Sequence, residues 1–331
     1  MTKKIVMTIK KILIIRFSSI GDIVLTTPVI RCAKQQLIGT EIHFVTKEAF
    51  KDTLINNPNI DKLITFKNDI TEIYQLLKAE NYDVIIDLHK NLRSLRLKQF
   101  LKTKSYSFDK LNLKKFLAVN FKLKNSLPNK HIVERYFEAI ANIGVKSDGK
   151  GLDYFLNEKD KVNCPDLFFK VQPAKFIALV IGGSYFTKQI PLNKLKEICK
   201  NSKLPIVLMG GKSDTIIADE LLKSFPNLIN ACGNFTLNQS ASIISQAEWV
   251  ITSDTGLMHI AAAFNKKIIS VWGNTIPEFG MGPYLPNAEN KILEIKNLSC
   301  RPCSKLGYKK CPKGHFKCMN EIDFGIVKEL K

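Results

Sequence analysis

Acidic residues are in short supply in this 331-residue chain, with 30 aspartates and glutamates against 50 lysines and arginines, a net charge of +20. Long hydrophobic runs are missing too. No apolar stretch approaches the roughly 20 residues that cross a bilayer as a helix, which argues against a membrane-spanning protein. The opening Met1-Thr2-Lys3-Lys4-Ile5-Val6-Met7-Thr8-Ile9-Lys10 is interrupted by lysines too early to serve as a signal peptide, so a cytoplasmic location is expected. Gly-x-Gly-x-x-Gly does not follow the first strand, and no Gly-x4-Gly-Lys-Ser/Thr occurs, which speaks against dinucleotide oxidoreductases and P-loop NTPases. Gly-x-Ser-x-Gly is lacking, and aspartates do not cluster in the pairs that hold a phosphate-bridging magnesium. There is no short repeat and no low-complexity segment.

What is present is an ordinary globular composition, 45% hydrophobic and 24% charged, in a chain long enough for two domains. Strand-like runs alternate with helix-like ones. The first half offers strands at Lys11–Arg16, Glu41–Thr46, Lys62–Phe66 and Asp83–Leu88, with a helical face at Ile70–Ala79. Pro28 suits the first position of a helix running to about Gln36, and Gly144 suits the C-cap of another over Ile132–Ile143. The second half offers strands at Phe176–Ile181, Ile206–Met209, Leu228–Ala231, Trp249–Thr252 and Lys267–Trp272, with helices starting near Pro191, Ser213, Asn238 and Gly256. Both halves read as β-α-β-α units, that is, parallel sheets covered on both faces. The expected architecture is two Rossmann-like domains facing across a cleft. Residues 1–165 form the first and 174–331 the second, and the Pro165/Pro173 stretch from Lys159 to Pro173 is the linker.

Two turns stand out. Trp249-Val250-Ile251-Thr252-Ser253-Asp254-Thr255-Gly256 reads as a buried strand that breaks into a polar turn and opens onto a helix, a setting that favours a phosphate. Arg16-Phe17-Ser18-Ser19-Ile20-Gly21-Asp22 follows the first strand and presents a carboxylate instead. Between Lys90 and Lys124 eleven basic residues face one acid, Asp109, with Leu92, Leu95, Leu97, Phe100 and Leu101 interleaved. This stretch is either a solvated lysine-rich surface or a field for an anionic glycolipid, membrane surface or nucleic acid.

The eight cysteines form two groups. Cys32, Cys164, Cys199 and Cys232 sit among apolar neighbours and are expected to be buried thiols. Cys300, Cys303, Cys311 and Cys318 are spaced Cys-x2-Cys-x7-Cys-x6-Cys, with His315 between the last two. They make either a small structural zinc site or a thiol-rich loop; the x7 gap is short for a zinc ribbon.

Four segments in order resemble the ADP-heptose:lipopolysaccharide heptosyltransferases of glycosyltransferase family 9. They are Arg16-Phe17-Ser18-Ser19-Ile20-Gly21-Asp22-Ile23-Val24-Leu25-Thr26-Thr27-Pro28, Asp87-Leu88-His89-Lys90-Asn91-Leu92-Arg93-Ser94, His131-Ile132-Val133-Glu134-Arg135-Tyr136 and Ser253-Asp254-Thr255-Gly256-Leu257-Met258-His259. Cys300-Arg301-Pro302-Cys303 with Cys318-Met319 is similar to the tail of heptosyltransferase II-like members. The resemblance implies a GT-B fold, with an acceptor-side N-terminal domain and a nucleotide-sugar donor domain that carries the Cys-containing tail. It also implies an inverting, metal-independent glycosyl transfer with no required cofactor. Asp22 would be the general base, although an N-capping role also suits it. Lys188 would neutralise the leaving diphosphate, with Ser184 and Thr187 adding donors; a solvated loop lysine is the plainer reading. Thr255 and Gly256 would hold the diphosphate, Asp254 the sugar hydroxyls, and His259 would approach the donor or simply pack. Asp214 would accept from the ribose or open a helix, and Arg93, His131 and Arg135 would meet carboxylates or phosphates of the acceptor. Gln189-Ile190 departs from the aromatic that commonly precedes the proline.

The expected activity is transfer of a heptose from ADP-heptose to a lipopolysaccharide core or related glycolipid. The enzyme would work in the cytoplasm, in transient contact with the inner face of the inner membrane and without nucleic acid. The alternatives are a relative with another donor sugar and a GT-B-like sugar-nucleotide epimerase.

Overall fold

In the computed structural model, residues 9–168 and 175–331 are described. Their contacts divide them into two units. The first holds the described chain up to Lys110 together with Ile132–Phe155, and the second holds Leu111–His131 and the described chain from Leu156 onward. This differs from the expected boundary at 165 to 174. The described part of the expected linker is docked on the second unit, where the Val162 amide donates to Ser242 Oγ at 2.9 Å and Cys164 is fully buried. Residues 169–173 of that linker lie outside the described residues, as do residues 1–8 of the opening segment.

The first unit begins with β1 (Lys11–Ile15), then α1 (Ile20–Val24), α2 (Thr27–Gln36), β2 (Glu41–Lys47), β3 (Lys62–Phe66), α3 (Tyr74–Ala79), β4 (Val84–Asp87), α4 (Leu92–Leu101) and β5 (Ser105–Ser107). After an excursion through α5 (Asn112–Asn120), which belongs to the second unit, α6 (Ile132–Ile140) returns to it. The strands are all parallel, in the order β3-β2-β1-β4-β5. Central strands such as β1 are apolar from their second residue on, Ile12–Ile15, because helices cover both faces of a parallel sheet. Pro28 occupies the second rather than the first position of α2, behind Thr26 as N-cap. Gly144 ends the helical stretch that α6 begins at φ +88°, a left-handed backbone that glycine adopts without steric penalty.

The second unit continues with α7 (Cys164–Phe168), β6 (Ile177–Val180), α8 (Leu192–Asn201), β7 (Ile206–Met209), α9 (Thr215–Ser224), β8 (Ile229–Asn230) and α10 (Leu237–Gln246). Then come β9 (Trp249–Ser253), α11 (Gly256–Ala263), β10 (Lys267–Trp272), β11 (Lys291–Glu294) and α12 (Lys317–Asn320). Its parallel sheet runs β11-β10-β9-β6-β7-β8. Two apolar clusters fill this unit, one including Leu179, Leu208, Ile251 and Phe324, the other Ala178, Val207, Val250 and Trp272. Alternate residues of the same strands serve the two clusters, as the two-residue period requires. In each sheet the strand order reverses once, between β1 and β4 and between β9 and β6. Such switch points, at the carboxyl ends of the strands, are where open α/β sheets take ligands.

Candidate active site

At the first switch point the chain leaves β1 through Arg16, whose guanidinium is buried. Its Nη2 lies 2.6 Å from Asp22 Oδ1, its Nη1 donates to the Leu88 carbonyl at 2.6 Å and to Tyr136 Oη at 3.1 Å, and its Nε donates to the Ser18 carbonyl at 2.8 Å. Burial works against the arginine's charge, but Asp22, Tyr136 and Asp87 together more than offset it, so the guanidinium holds its proton more tightly. Asp22 Oδ2 accepts from Ser19 Oγ at 2.9 Å and from the Ser19 amide, so the aspartate also closes a capping box on α1. The two roles weighed for Asp22 are thus compatible. The side chain is pinned from both oxygens yet about a quarter exposed, which leaves lone pairs open to a hydroxyl.

His89, just past β4, packs against Phe17 and is held near the guanidinium of Arg16. Burial first, and then the Arg16 charge, push its imidazole down to about 3, so the ring is neutral at physiological pH. Arg93 lies with its guanidinium 5.9 Å from the Phe17 ring centroid, on the same side of the unit. Arg135 is not displayed toward solvent. It is 1% exposed, donates to the Asp109 carbonyl at 3.2 Å, and its proton affinity is lowered by burial. Its place is structural packing, against the expectation of a contact with acceptor anions. His131 belongs to the second unit, where its Nε2 meets the Gly282 carbonyl at 2.9 Å and its ring lies 4.8 Å from Tyr284.

The second switch point gathers the other expected residues. Lys188 Nζ lies 2.6 Å from Asp254 Oδ2, and the same oxygen accepts from Thr275 Oγ1 at 3.3 Å. Arg301, 1% exposed, supports the loop beneath. It donates to the carbonyls of Gly273, Thr275 and Ile295 and pairs with Glu294 at 2.7 Å. Thr255 caps α11, accepting from the Met258 amide at 3.4 Å and sharing a 3.0 Å hydrogen bond with Thr252. That fixes the amides of Gly256 and its neighbours at the positive end of the helix. Ser184 is exposed on the loop after β6, whereas His259 is buried in α11.

Two expected donor contacts have other partners. The Thr187 hydroxyl is buried and bonded to Tyr308, accepting from its amide at 2.8 Å and donating to its carbonyl at 3.3 Å. It fastens the tail to the site loop and is not displayed as a phosphate donor. Asp214 is buried beside the ends of β6 and β7, with Oδ2 accepting from the Gly211 amide at 2.8 Å. A Cβ at Gly182 would fall 2.4 Å from that oxygen, so the glycine is what lets the carboxylate reach in.

The basic stretch is shared between the units. Lys98 lies 2.9 Å from the fully buried Asp87 and is part of the fold, while Arg96, Lys102, Lys104 and Lys114 are exposed. In the cysteine tail, Cys303 Sγ donates to the Cys300 carbonyl, Cys300 Sγ lies 3.8 Å from His315 Nε2, and Cys318 is buried in the core. Burial and neighbouring sulfurs push the Cys303 thiol up to about 11 and the Cys318 thiol to about 12. Among the described residues no group of three or more His, Cys, Asp or Glu side chains is arranged to hold a metal ion. The zinc expectation therefore finds no support. Arg16, His89, Thr275 and Arg301 complete the two clusters without being marked individually in the sequence. A buried arginine directly after an apolar strand was the one signal available.

Two doubly wound parallel sheets, each with polar side chains gathered on the loops at its switch point, define an α/β protein of the ligand-binding, doubly wound class. The model of glycosyltransferase family 9 (heptosyltransferase) matches residues 70–310, and the chain belongs to that family. It is 29% identical over 289 residues to lipopolysaccharide heptosyltransferase 1 of Campylobacter coli, covering 80% of this chain and 84% of that protein. It is 27% identical over 297 residues to lipooligosaccharide heptosyltransferase 2 of Haemophilus ducreyi, covering 81% and 85%. The solved ADP-heptose lipopolysaccharide heptosyltransferase II of E. coli superposes with a TM-score of 0.69 at 18% identity, over 94% of this chain and 98% of that one. The fold is thus that of the GT-B heptosyltransferases, and the protein is a glycosyltransferase rather than an epimerase.

Proposed function

We propose that the protein moves a heptose from ADP-heptose onto the inner core of lipopolysaccharide or a related glycolipid, with inversion at the anomeric carbon. The observation that carries this reading is the Lys188–Asp254–Thr275 cluster beside the Thr255-capped helix in a family 9 chain. The Gly256 end of α11 binds the diphosphate, and the incoming phosphate oxygens compete with Asp254 for the Lys188 ammonium. Asp254 is thereby released to accept from hydroxyls of the sugar. Asp22 takes the proton of the acceptor hydroxyl as its oxygen bonds to the anomeric carbon. The bond from that carbon to the β-phosphate oxygen breaks, and ADP leaves with the electron pair. Lys188 meets the charge that grows on the diphosphate, so no cofactor is needed in this scheme. Ser184 flanks the donor, and Arg93 with the exposed Arg96, Lys102 and Lys104 draws in the anionic acceptor. Because that acceptor is lipid-borne, the enzyme works in passing contact with the cytoplasmic face of the inner membrane.

The test is incubation with ADP-heptose and heptose-free lipopolysaccharide. Release of ADP matched by one heptose mass on the glycolipid is expected. Release of ADP without that mass, or transfer only from sugars carried on other nucleotides, overturns the reading. A thermal-shift comparison of ADP, GDP, UDP and CMP sugars gives an independent view of the donor, since a bound donor stabilises the fold by mass action.

A further inference from the structure

Helix α5 is amphipathic in an unusual sense, with apolar side chains on both of its faces. The inner face is fixed to the second unit. Ala118 is fully buried with Ile276 and Phe279, Val119 and Leu127 pack beside them, and the Lys115 ammonium lies 5.6 Å from the Phe279 ring centroid. Lys122 fastens the far end, donating from Nζ to the carbonyls of Val119 at 2.6 Å, Pro302 at 2.8 Å and Cys300 at 3.2 Å. The outer face and the turn after it show Leu113 at 70% exposure, Phe116 at 54%, Phe121 at 62% and Leu123 at 53%. The rings of Phe116 and Phe121 meet edge-on with centroids 6.2 Å apart. A lone exposed leucine needs no account, but four large apolar side chains within one short segment mark a surface that something covers.

Charge decides what covers it. No acid occurs between Asp109 and Glu134, while Lys114, Lys115, Lys122, Lys124 and Lys130 fall in that interval. An occupant must therefore be anionic at its surface and apolar just beneath, which is the interface of a bilayer containing acidic lipids. We infer that the outer face of α5 and the Phe121–Leu123 turn insert into an anionic membrane surface and dock the second unit on it. This goes further than electrostatic attraction by the basic residues, because it assigns an inserted apolar element. It rests on the proposed reading for its biological sense, in that the acceptor is lipid-borne, but it is measured without donor or acceptor.

The experiment is co-sedimentation of the full chain with phosphatidylethanolamine vesicles made with and without phosphatidylglycerol. The comparison protein carries Leu113→Ser, Phe116→Ser and Phe121→Ser. All three side chains are exposed, so its melting temperature and ADP affinity should match those of the parent, and both are measured to confirm that it folds. The parent should bind the acidic vesicles and retain part of that binding as salt rises. The triple variant should lose at least about tenfold in partition, since full insertion of one Leu or Phe is worth roughly that factor or more. Equal partition of the two proteins overturns the inference, as does complete release of the parent by salt. So does a parent that is dimeric where the triple variant is monomeric, which would make the face a self-association surface. If vesicle binding behaves as expected and no sugar is transferred, the fault lies with the proposed reaction and not with the docking face.

Discussion

At Asp22 both carboxylate oxygens already have donors, Arg16 on one and Ser19 on the other, so the group is held in one rotamer before any substrate arrives. Asp22→Asn should therefore keep the local shape while removing the proton acceptor. Transfer should fall by about a hundredfold or more, the usual range for a general base, with ADP affinity within a few-fold. Activity within about tenfold of the parent would remove Asp22 from the role. Lys188→Ala and Thr255→Ala should both weaken ADP binding in calorimetric titrations, and Lys188→Ala should lower kcat as well, because the diphosphate charge it meets grows toward the transition state. Unchanged affinity and turnover in both variants would remove the phosphate assignment. His89 gives a pH signature. Its imidazole titrates near 6.5 in the unfolded chain and about 3 in the fold, so the unfolded state binds more protons between those values. The stability this contributes is present above about pH 6.5 and is lost as pH falls toward 3. Replacing His89 with Gln should flatten that part of the melting-temperature profile; a slope unchanged by the substitution would show that other groups set it.

The turns that follow β6, β7 and β9 are where the elements of the second unit become a site. Gly182 and Gly210 stand against Asp214, with a Cβ on Gly182 coming to 2.4 Å of its Oδ2 and one on Gly210 to 2.9 Å. Gly182→Ala should displace the carboxylate and cost about 1 to 3 kcal/mol in a denaturant melt, the usual penalty for overpacking. A variant as stable as the parent would mean that the turn absorbs the methyl group freely. The strands β1, β9 and β10 were legible in the sequence because burial on both faces leaves a nearly unbroken apolar run, and β2 through Ile42 to Val45, broken only by His43. Of the edge strands, β3 and β8 were legible, whereas β5 and β11 were not. β5 is only Ser-Tyr-Ser, and β11, Lys-Ile-Leu-Glu, is half solvated, so neither carries an apolar run of its own. Much the same holds for the site. Asp22, Lys188, Asp254 and Thr255 were singled out in the sequence because they follow a strand closely, Asp22 in the first turn of α1 and the others in the segments before α8 and α11. Thr187 misled because its partner, Tyr308, is 121 residues away, and a hydroxyl's acceptor cannot be read from its neighbours in the chain. Arg135 misled for the complementary reason. The strongly amphipathic helix around it buries one face, and the arginine falls on that face.

Over the whole molecule the chain passes between the two contact-defined units three times, at 110 to 111, at 131 to 132 and at 155 to 156. The first unit is thus interrupted in sequence, between β5 and α6, by a piece of the second. A gene cut after residue 155 would encode all five strands of the first sheet together with 111–131, but it would leave Ala118 without Ile276 and Phe279. Such a fragment should be insoluble, or should bind a dye for exposed apolar surface, when expressed alone. A version with 111–131 replaced by a short glycine-serine bridge should be soluble and show the circular dichroism of an α/β fold. Equal solubility of the two fragments would show that the excursion can fold without its bed. The arrangement also bears on how the gene can vary. Recombination at a single junction cannot exchange an intact first unit between relatives, because part of the second unit is encoded inside it. Any workable shuffle has to carry the α5 segment along with the distant residues on which it rests.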